Sequence, residues 1–157
     1  KRDYELRRKF KEITDKTFTE TDDGELLHGA AMNIQISLEN TSDMNAAFEA
    51  LESEKKFVYA LEYFNEDAVK SLSEFFRNNG APLVPIVPDA LNAIGETAYL
   101  HLVNELLPMF DENSEVSVDK AVIERCDEEF KELFNSDVLL KKAAEFIKGN
   151  KGVFINA

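Results

Sequence analysis

The chain has 157 residues with 31 acidic and 18 basic side chains, a net charge of −13 and 44% hydrophobic content. That is enough apolar material for one folded core and too little length for two ordinary ones. The charge opposes binding to nucleic-acid phosphates and anionic lipid, and no apolar run approaches the roughly 20 residues of a membrane-crossing helix.

Charge divides the chain into an arm and a body. Residues 1–18 hold seven basic residues against four acidic ones, which leaves sixteen net negative charges from Thr19 onward. The domain expectation is a basic amphipathic helical arm over 1–18 and a single acidic globular domain over 19–157. In the arm, Leu6, Phe10, Ile13 and Thr17 or Phe18 recur at helical spacing, which predicts about four helical turns packed on the body or, alternatively, forming an oligomer contact. The polar run Thr19 to Gly24 ends it.

Met32, Ile34, Ile36 and Leu38 alternate with Asn33, Gln35 and Ser37, the period of a strand with one buried face. The competing helix would carry Leu27, Ala31, Ile34 and Leu38 on one stripe, with Gly29 inside it costing roughly 1 kcal/mol relative to Ala. Asn40, Thr41 and Ser42 offer caps for a helix on Met44, Ala47, Phe48 and Leu51, running to about Glu54. Phe57 to Phe64 is short, aromatic and partly β-branched, and predicts a buried strand. Asn65 is expected to cap a helix with Val69, Leu72, Phe75 and Phe76 buried, ending at Asn78, Asn79 and Gly80.

Pro82, Pro85 and Pro88 punctuate Leu83 to Val87, which predicts an extended segment at a sheet edge. A helix on Leu91, Ile94, Ala98, Leu102 and Leu106 follows, interrupted at Gly95 and ended near Pro108. Two more helices carry Val118, Val122, Cys126, Phe130 and Leu133, then Leu139, Leu140, Ala143, Ala144 and Ile147, with Gly149 capping the second. Val153 to Ile155 suggest a last short strand. The order of elements predicts an α/β or α+β fold, helices packed on a small, partly parallel sheet. An all-α domain of about six helices is the alternative if the strands at 32–38 and 57–64 are helical.

No complete catalytic motif is present. His101 shares a helix face with Glu105, a spacing that allows proton transfer or two metal ligands, and Glu96 and Asp89 lie nearby in sequence. These four are the site residues of an enzyme or small-ligand reading. Cys126 sits on an apolar stripe, where a thiol packs rather than reacts; as the only cysteine it forms no internal disulfide, and a reducing, cytoplasmic compartment is expected. The chain starts at Lys1 without Met, so a removed leader or excision from a larger protein stays open. Asp111, Asn113, Glu115 and Asp119 match positions 1, 3, 5 and 9 of a calcium loop, yet Val116 replaces its Gly and Val122 its bidentate Glu. Asp22, Asp23 and Gly24 are similarly incomplete, and no glycine-rich phosphate loop exists. Neither metal nor cofactor is expected.

Carboxylates cluster at Asp127, Glu128, Glu129 and Glu132, and again at Asp43, Glu49, Glu52 and Glu54. The expected function is a non-catalytic protein-binding module, such as an inhibitor, adaptor or chaperone, in which the first cluster meets a basic partner surface. Charge reversal at Asp127, Glu128 and Glu129 is then expected to slow association while leaving stability within about 0.5 kcal/mol per site. A structural domain of a larger protein is a third reading.

Overall fold

The computed structural model describes residues 2–156, and among them there is no strand. Eleven α-helices and two 3-10 turns make up the fold among the described residues, so the expected sheet is overturned and the all-α alternative holds, with more and shorter helices than six.

Helix α1 (Arg2–Lys9) is followed by a bend and by α2 (Asp15–Glu20), so the arm is two helices rather than one of four turns. Its apolar residues are nevertheless placed on the body: Phe10, Ile13 and Phe18 are buried. The bend at 10–13 is held by polar groups from distant segments. Asn33 Nδ2 donates to the Phe10 carbonyl at 2.8 Å. Asn156 Oδ1 accepts from the Ile13 amide at 2.8 Å, and Asn156 Nδ2 donates to Asn33 Oδ1 at 2.9 Å. These amides satisfy each other and tie the segments at 10–13 and 156 to the helix that carries buried Asn33.

That helix is α3 (Asp23–Glu39), which runs straight through the strand expected at 32–38. Leu26, Leu27, Ala30, Ala31, Ile34 and Leu38 form its buried stripe. The misleading alternation arises because α3 is packed by α1, by α4 (Met44–Glu49), by α5 (Ser53–Ala68) and by α10 (Ser136–Gly149). Apolar residues are therefore needed on several sides of it, and Met32 and Ile36 are half-buried on its flanks. Gly29, which argued against a helix, is required by a neighbour: a Cβ there would lie 2.2–2.4 Å from the Phe10 ring atoms. The helix-propensity loss of about 1 kcal/mol is offset by the complete burial of a phenylalanine.

The strand expected at 57–64 is likewise part of a helix, α5. Val58, Leu61, Asn65 and Ala68 are buried at i, i+3, i+7 and i+10, with Ala60 and Phe64 beside them. Asn65 is thus a buried residue in the last turn of α5 rather than a cap, its Oδ1 accepting from Ser136 Oγ at 2.7 Å. The next helix, α6 (Leu72–Asn78), is capped instead by Ser71, whose hydroxyl accepts from the Glu74 amide. Val69, expected in a buried stripe, is 60% exposed. Helix α4 stops at Glu49, short of the expected Glu54, because α5 begins at Ser53.

The proline-rich segment is a 3-10 turn (Val84–Ile86) leading into α7 (Val87–Ile94), not an edge strand. Pro88 occupies the first turn of α7, where no intrahelical N–H partner is required. Gly95, at φ +80°, ends α7 in the left-handed region. Helix α8 (Leu100–Leu106) and a second 3-10 turn (Leu107–Phe110) follow. Asp119 caps α9 (Lys120–Leu133) through the Ala121 and Val122 amides, and Asn135 caps α10. Residues expected as a last strand form a single turn, α11 (Lys151–Phe154). Ile123, Cys126 and Phe130 bury α9, whereas Val118 and Leu133 are exposed.

Around Phe64 the aromatic side chains join these elements. Its ring lies 5.2 Å from Phe75, 6.1 Å from Phe130 and 6.2 Å from Tyr99 and Phe134. Large rings from α5, α6 and α9 thereby fill one core. No helix among the described residues is long and apolar enough to cross a membrane.

Candidate functional site

Helices α8 and α9 lie side by side and present most of the residues singled out in the sequence. His101 and Glu105 are one turn apart on α8, but each is drawn to α9 rather than to the other. His101 Nε2 is 3.9 Å from Glu129 Oε2. Glu105 accepts from the Arg125 guanidinium and, at 3.4 Å, from the Cys126 thiol; Arg125 holds its carboxyl below the ordinary range. Arg125 also reaches Glu129 at 3.4 Å. Burial, reinforced by Glu105, pushes the Cys126 thiol up to about 11, so it is neutral and unreactive at ordinary pH.

The remaining members of the enzyme reading do not join this pair. Glu96 is buried, accepting from Tyr99 Oη at 2.5 Å and pairing with Lys142 at 2.9 Å, while Asp89 is exposed in the first turn of α7. In the loop before α9, Asp111 Oδ1 accepts from the Asn113 amide at 2.9 Å, and Glu115 is exposed. No three His, Cys, Asp or Glu side chains among the described residues are grouped to hold a metal ion.

The four carboxylates assigned to partner binding have unlike settings. Asp127 is half-buried, and its two oxygens accept from the Ser73 amide at 2.8 Å and the Ser73 hydroxyl at 2.6 Å. It therefore serves the N-terminal turn of α6 rather than the surface. Glu129 engages Arg125 and His101. Glu128 and Glu132 are exposed and make no ion pair among the described residues, and Glu124, which sequence reasoning passed over, joins them at the same four-residue spacing. These three form one row along the outer face of α9, with exposed Lys120 one turn before Glu124; Asp111, Glu112, Glu115 and Asp119 of the preceding loop are also exposed. The second cluster disperses: Asp43 caps α4 and Glu49 pairs with Lys56.

A different place holds the larger concavity. Helices α1, α3 and α5 enclose a groove of about 680 Å³, with the start of α10 at one end. Half-buried in it, His28 Nδ1 lies 2.6 Å from Glu62 Oε1. The rings of Tyr59 and Tyr63 pack edge-on at 5.2 Å, and Tyr59 Oη donates to Gln35. Tyr59, Glu62, Tyr63 and Glu66 recur at i, i+3, i+4 and i+7 along α5, a polar and aromatic stripe that the strand reading concealed. A smaller cleft of about 330 Å³, between the end of α5 and α9, shares Val69 with this groove and is lined also by Asp127 and Glu128.

Comparison with curated proteins and with solved structures gives no match. The model of one protein family, described as DMP19-like protein, matches residues 39–150. The matched stretch runs from the last residue of α3 to the residue after α10, and so contains the acidic row on α9 and the α5 wall of the groove. The chain belongs to the DMP19-like protein family.

Proposed function

We propose that this protein is a non-catalytic binding module whose α9 face docks a basic protein surface. The observation that carries the reading is the row of Glu124, Glu128 and Glu132. Like charges at i and i+4 destabilise a helix by roughly 0.2–0.5 kcal/mol per pair. Stability alone favours a lysine or arginine at one of these positions, as Arg125 already does for Glu129 on the adjoining row. A partner that supplies cations along the row relieves this repulsion on binding, so the same field that weakens the free helix speeds and strengthens the encounter. Glu129 adjoins the row on the same helix, while Asp127 belongs to the fold.

The alternative of a catalytic site at His101 and Glu105 has less support, because Glu105 is held by Arg125 and Cys126 and neither residue lines the groove or the cleft. A cytoplasmic location forms part of the proposal and rests on the lone free thiol of Cys126.

The test is capture of partners from the native source, followed by kinetics with the recovered protein. Replacing Glu124, Glu128 and Glu132 together by Gln removes charge from exposed positions without disturbing the core. Association is expected to slow about tenfold, and more at low salt than at high salt. Binding that is indifferent to both salt and the triple substitution refutes the proposal.

A further inference from the structure

The groove between α1, α3 and α5 lies apart from the α9 row, and its walls already display the chemistry of cation recognition. Helix α1 has no buried residue, and its Arg2 and Arg7 line the groove. Arg7 forms a two-pronged pair with Glu39 at 2.7 and 2.9 Å and a further bond to Asp3 at 2.8 Å. Arg2 pairs with Glu25 at 3.5 Å. Both groove-lining arginines thus have carboxylate partners of their own, Arg7 through close hydrogen bonds.

On the facing wall, the α5 stripe presents acceptors that lack arginine or lysine partners. Glu62 uses Oε1 for His28, and its Oε2 has no hydrogen bond among the described residues. Glu66 is exposed and makes neither hydrogen bond nor ion pair there. Tyr63 Oη has only Tyr59 Oη, at 3.3 Å. Tyr59 stays a neutral phenol, burial pushing its hydroxyl above the ordinary range; the Tyr59 and Tyr63 rings, packed edge-on, both line the groove. Asn65 is 6% exposed, and its Nδ2 makes no hydrogen bond among the described residues although the side chain lines the cavity. That amide donor is open to the groove, where an acceptor on whatever enters can take it up.

We propose that this groove binds a cationic group, an alkylammonium or guanidinium, seated between the Glu62 and Glu66 carboxylates and the Tyr59–Tyr63 pair. Carboxylates neutralise the charge, the ring faces attract it through their quadrupoles, and Asn65 receives an acceptor on the adjoining part of the ligand. His28 holds Glu62 in place as a positioning residue. The cation has two natural sources, a free small amine or a basic side chain of another protein, and both use the same contacts. The inference is independent of the α9 surface.

Amide and side-chain NMR of the full chain, titrated with n-butylammonium, with N-acetyl-arginine amide and with neutral n-butanol, tests it. Saturable shifts at Tyr59, Tyr63 and Asn65 with both cations, and none with n-butanol, are expected. Glu66→Gln, at an exposed position that leaves the fold intact, is expected to weaken binding about fivefold, and Tyr63→Leu by a similar factor. Glu124→Gln is expected to leave it unchanged, which separates this site from the α9 surface. N-acetyl-arginine amide binding more than about tenfold tighter than n-butylammonium supports a protein side chain as the source, and equal affinities support a free amine. Non-saturating shifts, an equal response to n-butanol, or insensitivity to Glu66→Gln overturns the proposal.

Discussion

Replacing Asp127 by Ala removes a carboxylate that accepts two hydrogen bonds, one from the Ser73 amide at 2.8 Å and one from the Ser73 hydroxyl at 2.6 Å. Ser73 is fully buried and is the second residue of α6. Hydrogen bonds to charged groups contribute about 1.5–3 kcal/mol each, and an anion at a helix N-terminus adds about 0.3–1 kcal/mol. The contributions overlap, because the Ser73 amide bond is itself the contact of the anion with the helix N-terminus; Arg77, which donates to the Ser73 hydroxyl at 2.8 Å, cannot replace the lost acceptor. A loss of about 2–4 kcal/mol is expected for Asp127→Ala, and about half of that for Asp127→Asn, which retains an acceptor oxygen. Glu128→Gln, one residue away and exposed, is expected to stay within about 0.5 kcal/mol of the parent. Urea unfolding provides the assay: the midpoint should fall for the Asp127 variants at unchanged slope. An Asp127→Ala midpoint equal to that of Glu128→Gln refutes the reasoning and returns Asp127 to the surface.

Gly29→Ala is expected to destabilise the parent, because helix propensity returns about 1 kcal/mol while the new Cβ collides with the Phe10 ring, and overpacking of this kind costs about 1–3 kcal/mol. In a Phe10→Ala background the same change should become stabilising, and thermal melts of the four proteins check the reversal of sign. Cys126, buried with its thiol pushed up to about 11, is expected to resist alkylation in the folded state, with labelling that rises steeply above pH 9 instead of levelling there. Rapid labelling at pH 8, followed by mass spectrometry without denaturant, would show the thiol to be accessible.

Much of the helical structure was legible in the sequence, because caps and stops act over a few residues. The helices on Met44 to Phe48, on Leu139 to Ile147 and on either side of Gly95 lie where the apolar spacing puts them, although Asp43 caps the first in place of Asn40, Thr41 or Ser42, and Asn150 rather than Gly149 caps the end of the second. Two other segments misled, and for one reason: a residue's periodicity records how many sides of its element are covered, and only the packed molecule decides that. Helix α3 is covered by four neighbours, so Met32, Ile34, Ile36 and Leu38 alternate without being a strand, and Gly29 answers to Phe10, nineteen positions earlier. Helix α5 carries a buried stripe and a groove-lining stripe at once, which together resemble an unbroken strand. The acidic character of α9 was likewise plain from composition, but burial and pairing decided the roles within it. Asp127 turned inward to Ser73, Glu129 was taken by Arg125, and Glu124, Glu128 and Glu132 were left facing solvent. His28 and Glu62, 34 positions apart, meet only because α3 and α5 pack together. Local chemistry determines where helices start and end; which of their charged groups remain available is decided by the neighbours they pack against.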